Sequence, residues 1–355
     1  MLPTDVEPDY SVLARILRDP DVLDRLTPNA FSRAIDAATA ARLLGWFLER
    51  SRERGLPVSP PAWLADRLAS AGAFARSCEL AVQWEIDRLR RAFLGTDQLW
   101  VLLKGGAYIV AGLPPGIGRR VADIDLLVPE SDLGSVEARL RDHGWDTAPL
   151  DAYDNRYYRE WMHELPPMVH RERKSTVDVH HRILPRTSRL KPTSARLLER
   201  SQPVDGARVL CPAHMILHAA AHMFHDGEIA GAIRDLVDLD QLLRHFGRDA
   251  EFWVDLEGEA EALDLTRPAF YALRYTRQWF DTPVPDALSE RLSRWGPPAM
   301  VGTLMDRLVA KAIATAAGRG SSAAVLALYI RSHWLRMPPW QVARHLARKA
   351  FARPR

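Results

Sequence analysis

Two aspartates in one apolar run constrain the fold of this chain more than any other feature. Asp123 and Asp125 stand one residue apart in VADIDLLV at residues 121–128. Alternate side chains of a strand leave the same face, so both carboxylates point the same way. Burying two like charges is costly unless a cation neutralises them. The run therefore predicts a largely buried strand that carries a divalent-cation site.

A third carboxylate stands in a second strand-like segment, STVDVH at residues 175–180. Asp178 lies between two valines, which predicts that its side chain leaves the opposite face from theirs. Together with Asp123 and Asp125, it can hold two cations about 3.5 to 4 Å apart for in-line displacement at phosphorus. Hard oxygen ligands favour Mg2+ or Mn2+. His180 shares the face of Asp178 and either orients substrate or is a structural histidine.

Asp178 has one ordinary alternative role. It can be a strand-edge carboxylate that pairs with Arg171 or Arg182, both of which are close in sequence. The flanking valines favour the metal-ligand role, because they place the carboxylate on a face of its own.

A glycine pair follows the first predicted strand, which covers residues 98–103. Gly105 and Gly106 would let backbone N–H groups approach a phosphate at the start of a helix predicted over residues 107–111. Most glycine pairs are simply turns, but this one comes one strand before the paired aspartates. Lys104 either reaches phosphate or caps the strand.

The order of these motifs resembles the polymerase-beta-like nucleotidyltransferase superfamily. Within it, LKG at 103–105, DIDLLV at 123–128 and VDVH at 177–180 resemble the bacterial uncharacterised nucleotidyltransferase family. The resemblance extends from the helical N-terminal part to Leu243. Its helical motifs are matched by four residues: His218, His222, Arg234 and Asp238.

The resemblance implies a metal-dependent transfer of a nucleoside monophosphate to a hydroxyl or similar group. The co-substrate is ATP or another NTP, and the group transferred is chiefly AMP from ATP. The residues expected to bind metal and carry catalysis are Asp123, Asp125 and Asp178. The residues expected to contact the nucleotide are Lys104, Gly105, Gly106, His180 and Arg234. Asp178 would also accept the proton of the attacking hydroxyl, and Arg234 would alternatively form a buried pair with Asp238. We expect a small-molecule or peptide acceptor, with nucleic acid less favoured.

Three other functions stay open at this point. A toxin-like nucleotidyltransferase would modify tRNA or protein with the same three acids. A non-catalytic RNA-binding or scaffold protein would use the basic C-terminal region, in which no acid follows Asp306. A zinc hydrolase would use His214, His218 and His222, which recur every four residues and share a helical face.

Chain length and residue pattern predict an α+β (α/β) protein with a small mixed sheet. The 355 residues allow a catalytic core with helical additions. We expect an N-terminal helical domain at 1–95, the core at 96–185 and a C-terminal helical domain at 186–355. Strands after the aspartate strand are predicted at 145–150, 167–171 and 176–184, with helices only after Pro192.

Composition is ordinary for a globular protein that is neither disulfide-bonded nor membrane-spanning. A net charge of +3 is too small to imply nucleic-acid binding, and two cysteines do not make a disulfide framework. No apolar run reaches the length of a membrane span, and the acidic N-terminus is unlike a signal peptide, so we expect a cytoplasmic protein. The aromatic segment 153–161 is the predicted acceptor-recognition segment, with core packing as its alternative.

Overall fold

The computed structural model describes residues 10–53, 62–147, 155–226, 229, 232–314 and 323–338. Several features of the sequence lie outside these ranges. They are the acidic N-terminus at 1–9, the whole of the glycine- and proline-rich break at 55–61, the first residues of the aromatic segment, and the basic residues from Arg344 onward.

A mixed sheet lies at the centre of the described structure, and its strand order is β3-β4-β5-β2-β1-β7-β6. The strands are β1 (Val101–Leu102), β2 (Asp123–Leu127), β3 (Trp145–Thr147), β4 (Met168–His170), β5 (Thr176–His180), β6 (Gln202–Val204) and β7 (Ala207–Val209). β2 runs parallel to β5, and β1 runs parallel to β7. The remaining neighbours are antiparallel. The predicted α+β class with a mixed sheet is confirmed.

Helices precede and follow the strands along the chain and pack against the sheet. The N-terminal group and core helices are α1 (Tyr10–Arg18), α2 (Pro28–Ala40), α3 (Leu44–Glu53), α4 (Ala62–Ala92), α5 (Lys104–Val110) and α6 (Leu133–Asp142). The C-terminal group is α7 (Ser194–Glu199), α8 (Pro212–Ala221), α9 (Ile233–Phe246), α10 (Ala250–Ala262), α11 (Thr266–Phe280), α12 (Asp286–Leu292), α13 (Ala299–Ala314) and α14 (Ala323–Arg336). None of the helices described here is both long and apolar enough to cross a membrane.

Local sequence signals explain where several helices begin. The Thr27 side chain accepts a hydrogen bond from the Ala30 N–H, and Pro28 follows at the first helical position of α2. Asp249 caps α10 in the same way by accepting from the Glu251 N–H. Pro212 occupies the first turn of α8, where a missing N–H costs nothing.

A single hydrophobic core joins the sheet to both helical groups. Buried apolar side chains form one cluster that extends from Leu13 in α1 to Leu328 in α14. Val101, Leu102, Leu126 and Leu127 are fully buried at its centre. The strands that carry the aspartates are therefore held by packing on both faces.

Several local predictions differ from the structure. The strand predicted at 176–184 ends at His180, and the strand predicted at 98–103 covers only Val101–Leu102. The prediction of helices only after Pro192 is wrong, because β6 and β7 form a hairpin that joins the sheet beside β1. Asp205 and Gly206 form its turn with φ of 46° and 70°, which fits the left-handed conformation of tight hairpin turns. Helix α5 begins at Lys104 rather than residue 107, so both glycines lie inside its first turn.

Candidate active site

The parallel pairing of β2 and β5 brings the predicted acids to one edge of the sheet. Asp125 lies directly opposite Asp178, and Asp123 lies opposite Thr176. Paired residues on neighbouring strands project to the same face, and so do residues two apart on one strand. All three carboxylates therefore share one face, as the sequence predicted. Asp125 is buried, Asp178 is half-buried and Asp123 is exposed.

Asp178 and Asp123 form a pair of acids that both have raised pKa values. Burial, together with the charges of Glu164, Asp125 and Asp123, raises the pKa of Asp178 to about 7. Burial and the Asp125 charge also raise the pKa of Asp123, while the Lys104 charge and a hydrogen bond with Asp178 oppose them only in part. The buried Oδ1 of Asp178 has no hydrogen-bond partner. Too little positive charge surrounds these two carboxylates, and a divalent cation would supply it.

Asp125 is held differently, by two cationic or hydrogen-bonding side chains. Lys104 Nζ donates to Asp125 Oδ1 over 3.0 Å, and His180 Nε2 donates to the same oxygen over 2.9 Å. Burial alone would raise the pKa of Asp125, but Lys104 and His180 hold it well below its usual value. In the described residues the three aspartates do not bring one oxygen each within 4.8 Å of the others. Both contacts use Oδ1, so Oδ2 is the oxygen left for a cation.

Neither alternative arginine pairs with Asp178. Arg182 donates to Glu130 over 3.0 Å, and Arg171 donates to the backbone oxygen of Arg141. Within the described residues, Asp178 therefore forms no ion pair with Arg171 or Arg182, the alternative role that the sequence had left open.

Lys104 and the glycine pair form the first turn of α5, the β1–α5 turn, which only Leu103 separates from β1. Lys104 adopts a φ of 44°, the left-handed region that L side chains enter at a cost. This conformation places its side chain on Asp125. Gly105 lies so close to Arg119 and Val121 that an added Cβ would fall 2.7 Å from Arg119 Nε. Within α5 the N–H groups of its first turn have no intrahelical acceptor and can bind an anion.

Glu164 and His163 are site residues that the sequence analysis missed. Glu164 forms an antiparallel bridge with His180, which brings its Oε2 to 3.4 Å from His180 Nδ1. The ring centres of His163 and His180 are 5.3 Å apart. The available signal was the His-Glu dipeptide between two strands. It was not decisive, because the pairing with His180 is non-local.

The histidine stripe divides between two environments. His214 Nε2 hydrogen-bonds Glu259 Oε2 over 2.8 Å, within the C-terminal helices. The Lys104 charge and burial lower the pKa of His222 to about 3. Burial and Lys104 also lower the pKa of His218 well below its usual value. The stripe supplies no zinc site among the described residues, and its last two members stay neutral beside Lys104.

Arg234 and Asp238, one alternative pair predicted from the sequence, bind other partners instead of each other. Asp238 accepts a hydrogen bond from Arg119, and Arg234 Nη1 donates to the backbone oxygen of Arg42 over 2.7 Å. Burial and the Arg119 charge lower the pKa of Arg234 to about 10. Arg234 is thus a half-buried cation whose charge an anionic ligand would stabilise.

The aromatic segment forms a short π-helix, Tyr157–Trp161. Tyr157 packs edge-to-face on Tyr158 and on Trp161, with ring centres 5.8 and 6.0 Å apart. Arg159 donates to the Glu137 carboxylate and fixes the segment on α6. These half-buried rings lie in the chain just before His163 and Glu164.

Comparisons with known proteins point to a nucleotidyltransferase family. A family model described as "Uncharacterised nucleotidyltransferase" matches residues 27–281 of this chain. The crystal structure of JHP933 from Helicobacter pylori aligns with 66% of this chain and 94% of its own, at 13% sequence identity and a TM-score of 0.32. No curated protein matches the chain.

Proposed function

This chain belongs to the uncharacterised nucleotidyltransferase family, and from that membership we propose that it transfers AMP from ATP to a hydroxyl or similar group of a small molecule or peptide. Pyrophosphate leaves in this reaction. The family supports nucleotidyl transfer in general. The choice of nucleotide and acceptor is our proposal.

One observation carries the proposal: two aspartates share a site that has too little positive charge. Asp178 has a buried oxygen without a partner and a pKa raised to about 7. Asp123 lies beside it with a raised pKa of its own. We propose that Asp123, Asp178 and the second oxygen of Asp125 hold Mg2+ or Mn2+, for which carboxylates are suitable ligands. When bound, the ion would neutralise charge that develops on the transferred phosphoryl group.

Asp178 is also the proposed general base. Its pKa of about 7 belongs to the site without a cation, and a bound cation would lower that pKa, so the proposed role rests on the place of Asp178 among the three acids and not on the pKa itself. We propose that it takes the proton of the acceptor hydroxyl as that oxygen attacks phosphorus. Asp125 and Asp123 have no comparable role, because Lys104 and His180 keep Asp125 ionised and Asp123 is exposed.

The turn between β1 and α5 is the proposed phosphate-binding element. Lys104 supplies a cation beside the aspartates. Gly105 and Gly106 supply backbone N–H groups of the first turn of α5, which would donate to phosphate oxygens. His180 would act through Asp125, whose oxygen it holds. Arg234 would contribute a second cation, which anionic phosphate would stabilise. The segment Tyr157–Trp161 is the proposed acceptor contact.

Pyrophosphate release tests the proposal. Wild-type protein with Mg2+ and each NTP should release pyrophosphate in the presence of an acceptor mixture, and ATP should give the highest rate. Asp123→Asn should lower the rate at least 100-fold, about the loss seen when one charge-stabilising group is removed from an active site. Asp142→Asn, at the exposed end of α6, is the matched control and should keep full activity. Equal rates for Asp123→Asn and wild type would discard the enzyme and favour a scaffold role.

A further inference from the structure

A second cluster of ligating side chains lies beside the three aspartates. Glu164 Oε2 is 3.9 Å from His163 Nε2 and 3.4 Å from His180 Nδ1. One ligand atom from each of the three residues lies within 4.8 Å of the others. Both histidines are buried and Glu164 is half-buried. The cluster therefore has the size and shielding of a metal site.

The orientation of His180 supports a cation in this cluster. Its Nε2 donates to Asp125 Oδ1 over 2.9 Å, so in the neutral ring Nδ1 carries the lone pair. Nδ1 is buried without a hydrogen-bond partner, on a side chain that is 3% exposed. It points toward the Glu164 carboxylate at 3.4 Å. Two electron-rich atoms at this distance require a proton or a metal ion between them.

The backbone holds these ligands rigidly. The Leu165 N–H donates to the Val179 oxygen over 2.8 Å, and the His181 N–H donates to the His163 oxygen over 2.9 Å. The segment that carries His163 and Glu164 is thus fixed on the edge of β5. A metal site supported by regular backbone pairing keeps its geometry better than one on a free loop.

We propose that His163, Glu164 and His180 bind one zinc-class divalent ion, separate from the Mg2+ proposed at the aspartates. Two imidazole nitrogens and one carboxylate oxygen suit Zn2+, and three protein ligands leave a fourth position open to water. With metal–ligand bonds of about 2.0 to 2.2 Å, tetrahedral ligand atoms lie roughly 3.3 to 3.6 Å apart. The 3.4 Å between Glu164 and His180 fits this range, and the 3.9 Å between Glu164 and His163 would shorten slightly around an ion. Asp125 would be the outer carboxylate that fixes the tautomer of a metal-bound histidine.

The ion would connect the cluster to the aspartates. It would neutralise Glu164, whose charge otherwise repels Asp178. It would also fix the His180 ring and thereby the Asp125 oxygen that the ring holds. His163, Glu164 and His180 are positioning residues in this arrangement. The alternative is a doubly protonated His180 between Asp125 and Glu164, which needs no metal.

Zinc binding to the full-length chain, without nucleotide, tests the proposal. Protein freed of metal by a chelator and titrated with Zn2+ in a large excess of Mg2+, which occupies the aspartates, should bind one Zn2+ ion per chain. Glu164→Gln, which keeps the shape of the side chain, should weaken binding by roughly tenfold or more, and so should His163→Asn. His143→Ala removes an exposed histidine after α6 and should leave binding unchanged. Asp123→Asn should also leave it unchanged.

A second measurement keeps the test decisive if a variant fails to fold. Wild-type protein with Co2+ alone should show the intense visible absorption of a four-coordinate site with nitrogen ligands. A weak, six-coordinate spectrum, or equal Zn2+ affinity in wild type and folded Glu164→Gln, would overturn the proposal and favour the protonated histidine. Because no nucleotide is present, this failure would leave proposed AMP transfer standing. Loss of pyrophosphate release would equally leave the zinc result standing.

Discussion

At the scale of single residues, Asp178 combines a half-buried position, nearby negative charge and the proposed roles of metal ligand and general base. It pairs in register with Asp125, yet the two carboxylates differ in ionisation because Lys104 and His180 hydrogen-bond Asp125 and not Asp178. Burial and three neighbouring carboxylates raise the pKa of Asp178 to about 7. Two acids opposite each other thus have separate states, which is how acid and base roles are divided in many active sites.

The raised pKa of Asp178 predicts a defined pH dependence of stability. From the ordinary value of 3.8 to about 7, the folded protein keeps this proton while the unfolded chain has released it. This group therefore makes the free energy of unfolding fall as pH rises through that window. Asp178→Asn should be more stable than wild type at pH 8 by roughly 1 to 3 kcal/mol, and about equal at pH 4. Urea denaturation in chelator at both pH values measures the difference.

Added Mg2+ provides the control for the same variant. At pH 8 it should raise the melting temperature of wild type, because it neutralises the acidic pair, and leave Asp178→Asn nearly unchanged. Asp142→Asn should respond like wild type. A stability difference that does not vary with pH would contradict the assigned pKa.

At the scale of elements, the site depends on the β1–α5 turn and the β2–β5 pair. The glycines and Lys104 belong to one helical turn. The Leu103 N–H, just before this turn, donates to the backbone oxygen of Asp125 in β2 over 3.0 Å and so fixes the turn to the sheet. Arg119 packs over Gly105 and reaches Asp238 on α9. The turn is thus fixed between the sheet and a C-terminal helix.

Two adjacent glycines give a matched test of this packing. A Cβ at Gly105 would fall 2.7 Å from Arg119 Nε and 2.8 Å from Val121 Cγ2, so Gly105→Ala should cost roughly 1 to 3 kcal/mol. At Gly106 the nearest atom would be 3.6 Å away, which is ordinary contact. Gly106→Ala should be neutral or stabilising by up to about 1 kcal/mol, because alanine favours a helix. Equal losses in urea denaturation would contradict the packing described for Gly105.

Elements with a strong local signal were predictable from the sequence. The strands of Asp125 and Asp178 show as apolar runs that contain acids, and both form, although the second ends at His180 rather than at residue 184. The β6–β7 hairpin was missed because each strand has only three residues and β6 contains a proline. Its clearest local signal is Gly206, which is equally compatible with a break between two helices. The helical start at Lys104 was missed because glycine pairs usually mark turns.

The site was predictable only in part, for a physical reason. Strand periodicity places Asp123, Asp125 and Asp178 on one face without any tertiary information. Glu164 enters through a bridge between residues 16 apart, and Asp238 meets Arg119 across 119 residues. No local pattern encodes such contacts. The sequence therefore predicted the acids and named Lys104 and His180 as site residues. It predicted neither the contact of both with Asp125 nor the cluster around His163.

At the scale of the whole molecule, Glu259 ties the C-terminal helices together. This buried carboxylate on α10 accepts from Arg196 on α7 over 2.6 Å and from His214 on α8 over 2.8 Å. Hydrogen bonding from Arg196 and His214, against the effect of burial, lowers the pKa of Glu259 to about 2. Helix α8, which carries His218 and is followed directly by His222, is thus held in place by a contact outside the site.

Two glutamates of α10 test this role. Glu259→Gln should cost roughly 2 kcal/mol at pH 7, because it weakens a buried charged hydrogen-bond network. The difference should shrink as pH falls from 4.5 toward 2, where Glu259 itself gains a proton. Glu257 pairs with the half-exposed Arg291, so Glu257→Gln should cost under about 1 kcal/mol. Thermal denaturation that ranks the two variants in the opposite order would contradict the assignment.

The central claim is that Asp123 and Asp178, with Asp125, hold a divalent cation against a nucleotide. Anomalous diffraction from crystals soaked with Mn2+ and a non-hydrolysable ATP analogue tests it most directly. We predict a manganese peak bonded to oxygens of Asp123 and Asp178 and to the nucleotide phosphates, beside the first turn of α5. Nucleotide bound with no manganese at these aspartates, or manganese bound only elsewhere, would contradict the claim.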